Sequence, residues 1–328
     1  MRAVKVKPSQ AEQVRKELAN LEVFNSDYHV KKDGKFIYFP VLDSFNSNEY
    51  DIIEIEMDPR NNRKKIRDYL NIENLRSFDV IGDIAIIEIP DEHLHLEKEI
   101  GEAILKAHAN INTVLKKDSS VHGEYRVRNT QYICGENKTE TIHKEKGVKL
   151  KVDVSKVYFS PRLSHERERI LEQVKDGEVV LGLFSGVGPF PLVIAKHRKV
   201  KAYSIELNPL GHKYAVENIK LNKLEGKVTA IEGDVREILK RKEFHNMADR
   251  ITMPLPKDAI SFLDCVAPAC KKKAIIHFYA FSTIEDLPKL EQEILKLLNR
   301  PAKILLTRKV RKFSPDVDQY SFDIQITK

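Results

Sequence analysis

The stretch Val179-Val180-Leu181-Gly182-Leu183-Phe184-Ser185-Gly186-Val187-Gly188-Pro189 decides the fold. An apolar run of strand length, Val179 to Phe184, meets glycines where a strand must turn sharply into a helix and let a ligand approach the backbone. Outward from it, helix Arg167 to Val174, strand Glu178 to Phe184, helix Pro191 to Lys196, strand Lys201 to Ile205 and helix Pro209 to Asn222 alternate. Strand-like runs at Val228 to Glu232, Arg250 to Met253 and Ala274 to Phe281 continue the pattern. Alternation of this kind predicts an α/β domain, a parallel sheet with helices on both faces. After a helix at Ile284 to Leu298, the runs Lys303 to Val310 and Tyr320 to Thr327 share a short polar connection, so they are expected to pair antiparallel at one edge.

Upstream the pattern differs. A strand at Ala3 to Lys7 meets Ser9-Gln10-Ala11-Glu12, a capping-box pattern opening a helix to about Asn20. Tyr28 to Val30 and Phe36 to Val41 read as a hairpin through Lys32-Asp33-Gly34, and Ile52 to Met57 as a further strand. The polar stretch Asp58-Pro59-Arg60-Asn61-Asn62-Arg63 is the expected linker. Beyond it, Phe78 to Pro90 is strand-like and Asp91 to Ala109 helical. Short strands follow at Thr113 to Lys116, Tyr125 to Arg128, Thr139 to His143 and Val148 to Val154, an α+β section. The chain therefore divides into 1–62, 63–160 and 161–328.

With 328 residues, 41% hydrophobic and 32% charged, the chain can bury a large core, and disorder, collagen-like repeats and a disulfide scaffold are excluded. No apolar stretch approaches the roughly 20 residues that span a bilayer, and Met1-Arg2 leads into a strand rather than a signal peptide, so a soluble cytoplasmic protein is expected. Cys134, Cys265 and Cys270 lack metal-site spacing, and His143 and His165 lack a spaced third ligand; no metal is expected. Fifty-six Lys and Arg against 49 Asp and Glu permit an acidic partner such as nucleic acid.

Glu206 closes the strand after the glycine loop, where a carboxylate can accept hydrogen bonds from both ribose hydroxyls of an adenosine. Asp234 sits just past the third strand, within reach of an adenine amino group. A dinucleotide fingerprint would need a third glycine where Pro191 stands, which favours S-adenosylmethionine over NAD; a tight turn without a ligand is the bland alternative.

Tyr158-Phe159-Ser160-Pro161-Arg162-Leu163, His165-Glu166-Arg167, the glycine loop, Asn222-Lys223-Leu224, Gly233-Asp234-Val235-Arg236-Glu237, and Gly135-Glu136-Asn137 through Thr141-Ile142-His143-Lys144-Glu145 resemble the archaeal tRNA (guanine-N1)-methyltransferases. Those enzymes act on the guanosine immediately 3′ of the anticodon. The resemblance implies a Rossmann-like class I methyltransferase domain preceded by an α+β domain and a small N-terminal αβ domain that touches the outer corner of tRNA. It implies a chain acting as a monomer, with tRNA as partner and S-adenosylmethionine as cofactor.

Methylation at guanine N1 needs a base for the N1 proton and a cation for the charge that develops on O6. The resemblance puts these roles on Glu166 and Arg126. Without it, Glu166 reads as an acid in the first turn of a helix and Arg126 as a phosphate contact or a solvated charge. The implied cofactor contacts are Tyr158, Phe184, Gly186, Val187, Gly188, Glu206, Asp234, Val235 and Pro254, and the implied substrate contacts Arg128, Arg162, Pro254 and Pro256. Arg60 to Lys65, Lys271 to Lys273 and Arg308 to Lys312 suit phosphate tracking, and Tyr279 or Phe281 could stack on a base. Two departures stand out. Gly182 replaces an acid common two residues before the loop aromatic, and Pro254 in Met253-Pro254-Leu255-Pro256-Lys257 replaces the asparagine of Asn-Leu-Pro. A proline there resembles the wyosine-pathway subfamily that also methylates a carbon of the tricyclic base. Rival expectations are an aminocarboxypropyl transferase of the same pathway and a non-catalytic tRNA-binding protein.

Overall fold

The computed structural model describes residues 1–59, 66–70, 72, 75, 77–117 and 129–327. The chain forms two compact units, Met1–Tyr69 and Leu70–Lys328. In the first, β1 (Arg2–Val6), α1 (Ala11–Asn20), β2 (Lys31–Lys32), β3 (Ile37–Pro40) and β4 (Asp51–Glu54) build a sheet in the order β2-β3-β1-β4. Val14 and Leu18 of α1 bury against Val4, Val6 and Phe39. The expected capping box does not form: Pro8 starts a 3-10 turn through Gln10, so Ser9 lies inside that turn and α1 has no side-chain cap. The hairpin pairs Lys31 with Tyr38 rather than starting at Tyr28, and its turn is held by Asp33, which accepts from the Phe36 amide at 2.7 Å and the Tyr38 hydroxyl at 2.5 Å. The expected linker and the cluster Arg60 to Lys65 fall largely outside the described residues.

The second unit opens with β5 (Asp79–Ile81), β6 (Ile84–Ile87), α2 (Glu97–Ala107), β7 (Thr113–Lys117) and β8 (Thr130–Gly135), a sheet in the order β5-β6-β7-β8. The single run expected over Phe78 to Pro90 is a hairpin, because Gly82 adopts a φ of 59° and reverses the chain. The strand expected at Tyr125 to Arg128 lies outside the described residues, while β8 was not anticipated. A separate hairpin, β9 (Glu140–Glu145) and β10 (Val148–Asp153), follows.

Then come α3 (Ser164–Gln173), β11 (Val179–Gly182), α4 (Pro189–His197), β12 (Lys201–Glu206), α5 (Pro209–Leu221), β13 (Val228–Glu232), α6 (Val235–Leu239), β14 (Ala248–Met253), α7 (Leu263–Val266), β15 (Cys270–Ser282), α8 (Leu287–Leu297), β16 (Ala302–Lys312) and β17 (Asp318–Ile326). The sheet runs β13-β12-β11-β14-β15-β17-β16, parallel through β15 and antiparallel for the last two, as the short final connection requires. This is the α/β fold expected from the alternation, in the Rossmann-like form that the resemblance implies. Its core is near-continuous: Leu181, Ile205, Ile251, Ile276, Phe278 and Phe322 are all fully buried. The order places the carboxyl ends of β11, β12, β13 and β14 side by side, where open α/β sheets bind ligands. Among the described residues, no helix is long and apolar enough to cross a membrane.

Candidate active site

The glycine loop is built by packing as much as by conformation. A side chain at Gly182 would start 3.0 Å from the Pro191 ring and 3.3 Å from the Tyr203 carbonyl, so an acid there would crowd the first turn of α4. Phe184 adopts a φ of 51°, rare for a bulky residue, and is held edge-on against Phe262 at 4.7 Å. Arg236 lies 3.6 Å over the other ring and pins the segment beyond Pro254 to α6. Gly186, at a φ of 54°, presses its backbone against the Tyr158 carbonyl, which a Cβ would meet at 3.0 Å. Gly188 is left-handed as well and hands the chain to Pro189, the first residue of α4.

Glu206 ends β12 with Oε2 accepting from the Gly186 amide at 2.6 Å and Oε1 from the Asn208 amide at 2.8 Å. Burial raises its pKa, against the pull of those amides. Asp234 caps α6 by accepting from the Arg236 amide at 2.7 Å. Pro254 follows β14 and is half-buried, as is Pro256, and the Leu255 amide donates to the Met253 carbonyl at 2.8 Å around it. Val187 and Val235 are 0% and 3% exposed and pack into the core beneath the loop. These residues converge at one end of the sheet, and the cradle pressed on Gly186 fits an adenosine-bearing cofactor.

Glu166 lies in the first turn of α3, yet it is only 2% exposed. Arg169 donates to it from Nε at 3.1 Å and Nη2 at 3.0 Å, and the Tyr279 hydroxyl donates to Oε2 at 2.8 Å. Arg308, about half exposed on β16, reaches Oε1 at 3.4 Å. Behind Arg169, Asp323 accepts from Nη1 at 2.6 Å, and His277 sits between Asp323 (2.6 Å from Nδ1) and Arg250 (2.8 Å from Nε2). Burial lowers the His277 pKa, and the neutral ring with its proton on Nδ1 satisfies both neighbours. Arg250 in turn meets Glu178 at 2.8 Å. Charges alternate along this buried line, so none is left unpaired.

Arg167, 1% exposed, points the other way and donates to both oxygens of Glu145 at 2.6 Å, between the rings of Phe159 and Phe190. Burial works to raise the Glu145 pKa, but the Arg167 guanidinium and His143 prevail and hold it at about 2. On the far side of the β9–β10 hairpin, Asn218 and Asn222 of the α5 region act like a missing strand. Their amides accept from the Lys151 and Lys149 amides at 2.6 and 2.8 Å and donate back to the carbonyls at 3.0 and 2.7 Å. Asn218 also donates to the Val187 carbonyl at 3.1 Å, joining hairpin to glycine loop.

The expected Arg126 and Arg128 lie outside the described residues. Arg162 is exposed and donates to Asp79 at 2.6 Å, tying the turn before α3 to β5. Tyr279 cannot stack on a base where it stands: it is fully buried. Phe281 stacks on Phe313 at 4.1 Å. Lys271 pairs with Asp249 at the amino end of β15, away from the loop. His143 accepts from the Gly82 amide at 3.2 Å, and among the described residues no three His, Cys, Asp or Glu groups could hold a metal. Arg169, His277 and Asp323 were not anticipated, nor was the contact of Tyr279 with Glu166. The available signal was polarity inside apolar strands, His277 in Ile275 to Phe281 and Asp323 in Tyr320 to Ile326.

The family model of the TRM5/TYW2 methyltransferase domain matches residues 141–307, the TYW2 N-terminal domain 63–139, and the tRNA methyltransferase 5 N-terminal domain 3–49. The chain is 40% identical over 336 residues to tRNA (guanine(37)-N(1))-methyltransferase Trm5b of Pyrococcus abyssi, covering 99% of each. It is 34% identical to tRNA (guanine(37)-N(1))/4-demethylwyosine(37)-methyltransferase Taw22 of Nanoarchaeum equitans, over 70% of this chain and 91% of that one. Among solved structures, the crystal structure of Trm5b from Pyrococcus abyssi superposes with a TM-score of 0.73 at 38% identity. The complex of aTrm5 with tRNALeu gives 0.72 at 32%, and Methanocaldococcus jannaschii Trm5 with adenosine 0.69 at 32%; all three cover both chains fully. A glycine cradle under an acidic strand end, a buried Glu166 and matches along the whole length agree: the chain belongs to the TRM5/TYW2 methyltransferase family.

Proposed function

We propose that this protein is an S-adenosylmethionine-dependent tRNA methyltransferase that acts on N1 of the guanosine at position 37, the position in the names of its relatives. The observation that carries the reading is the cradle: Gly186 backed by the Tyr158 carbonyl, with Glu206 at the adjoining strand end. Glu206 would take the ribose hydroxyls and Asp234 the adenine edge, with the backbones of Phe184, Val187, Gly188 and Val235 lining the remainder. S-adenosylmethionine supplies a methyl carbon activated by its sulfonium, which departs with the C–S electrons as a neutral thioether. Glu166 accepts the N1 proton as the N1–C bond forms, and Arg126 faces the charge that grows on O6. Glu166 is covered by Arg308 at 3.4 Å, so entry of the base requires that half-exposed side chain to move aside, drawn by an RNA phosphate.

Residues 1–62 serve tRNA engagement, 63–160 support the active site and RNA, and 161–328 hold the cofactor. The chain works as a monomer in the cytoplasm, where its tRNA substrate is. Arg128, Arg162, Pro254 and Pro256 contact the substrate. Methyl-labelled cofactor offered with unmodified tRNA tests this: label is expected in a G37 transcript and lost on changing that base to adenine. Label retained in the adenine transcript would contradict the site assignment.

Pro254 favours a second activity. Without an asparagine amide the pocket is less polar and lacks a donor, leaving room for a tricyclic base. Methylation of the demethylated wyosine precursor at its ring carbon follows, with the base bound in a second orientation against one methyl donor. Labelled cofactor and tRNA carrying that intermediate decide it, and no label in the tricyclic base would leave one activity.

A further inference from the structure

Resting on Glu166 as the proton acceptor, we propose that Tyr279, with the Arg169–Asp323 pair behind Glu166, is a positioning residue that holds the carboxylate in one rotamer. Three elements converge on those two oxygens: α3 with Arg169, β15 with Tyr279 and β16 with Arg308. Tyr279 is the neutral one. Its hydroxyl, 0% exposed, donates to Oε2 at 2.8 Å and so fixes the orientation of the carboxylate. Burial and the neighbouring Glu166 push the Tyr279 pKa well up, so the hydroxyl stays a donor across the working pH range. Arg169 cannot swing away to follow an incoming base, because Asp323 takes Nη1 at 2.6 Å and is itself held by Gln173 at 3.0 Å and His277 at 2.6 Å. Thus two of the three contacts on Glu166 are fixed to the sheet, and Arg308, on the open side, is the one that can leave. The tyrosine ring meets Phe190 of α4 at 6.5 Å, next to the glycine loop, so the same side chain registers the base against the cofactor helix.

Tyr279→Phe keeps that ring and removes the hydroxyl. Single-turnover methyl transfer at saturating cofactor and tRNA is expected to be roughly tenfold slower, because the carboxylate is no longer held in one orientation. Cofactor and tRNA affinities are expected to stay unchanged. Arg169→Lys, which keeps the charge but loses the forked contact, is expected to slow the same step with affinities unchanged. In a Glu166→Gln background, Tyr279→Phe is expected to add nothing, since its effect passes through that carboxylate. A Tyr279→Phe single-turnover rate equal to the parent's, or equal slowing in both backgrounds, would overturn the inference. Glu166→Gln at full rate would instead sink the general-base reading beneath it.

Discussion

Replacing Glu145 with Gln tests how the active-site helix is anchored. Glu145 and Arg167 exchange two hydrogen bonds of 2.6 Å with side chains 5% and 1% exposed. The amide leaves the guanidinium buried between Phe159 and Phe190 with half its partner gone. A carboxyl held at about 2 instead of the ordinary 4.5 contributes about 3 kcal/mol at neutral pH by linkage. Breaking a buried pair by removing one partner costs about 3–5 kcal/mol, which agrees. The folded pKa is depressed, so this stability is present above the unfolded pKa and is lost as pH falls through the folded one, between about 4.5 and about 2. Urea unfolding followed by circular dichroism is expected to show Glu145→Gln less stable by about 3 kcal/mol at pH 7, and by roughly half that at pH 3. A difference below about 1 kcal/mol, or one unchanged between the two pH values, would refute the reasoning.

Gly186→Ala is expected to fold but to bind S-adenosylmethionine at least about tenfold more weakly by calorimetry. Its φ of 54° strains any side chain, and an added Cβ would crowd the Tyr158 carbonyl at 3.0 Å; unchanged affinity would remove the cradle from the account. Because burial raises the Glu206 pKa, cofactor affinity is expected to begin falling, as pH drops, above the ordinary carboxylate range, and Glu206→Gln to bind weakly at every pH. A pH-independent affinity in the parent would show that the carboxylate is not an acceptor for the ligand. Removing residues 1–62 is expected to weaken tRNA binding in filter assays while leaving cofactor affinity intact, and loss of cofactor binding would contradict the division of labour.

The sheet and its ligand end were legible because they rest on local signals: apolar runs of strand length, glycines at a turn, and an acid at the next strand end. The antiparallel edge followed from one short connection. Glu166 was recognised as a candidate only through a resemblance, since its residue type in a first helical turn fits a dipole partner equally well. Its burial depends on Tyr279 and Asp323, more than a hundred residues away, and on neither side does spacing betray the pairing. Arg167 reads as a helix-surface charge until Glu145 of the hairpin is folded onto it. The capping box failed because Pro8 began the turn one residue before Ser9, and the break at Gly82 was hidden inside an otherwise apolar run. Asn218 drew no notice in the sequence, because its partners, the edge of β10 and the Val187 carbonyl, are distant along the chain.

The most direct measurement of the central claim is mass spectrometry of nucleosides from unmodified tRNA incubated with the protein and S-adenosylmethionine. Methyl transfer to guanine N1 predicts 1-methylguanosine at position 37 and nowhere else, at a rate reduced about 10²- to 10⁴-fold in the Glu166→Gln protein. An aminocarboxypropyl adduct, a methyl on another base, or unchanged nucleosides would contradict it.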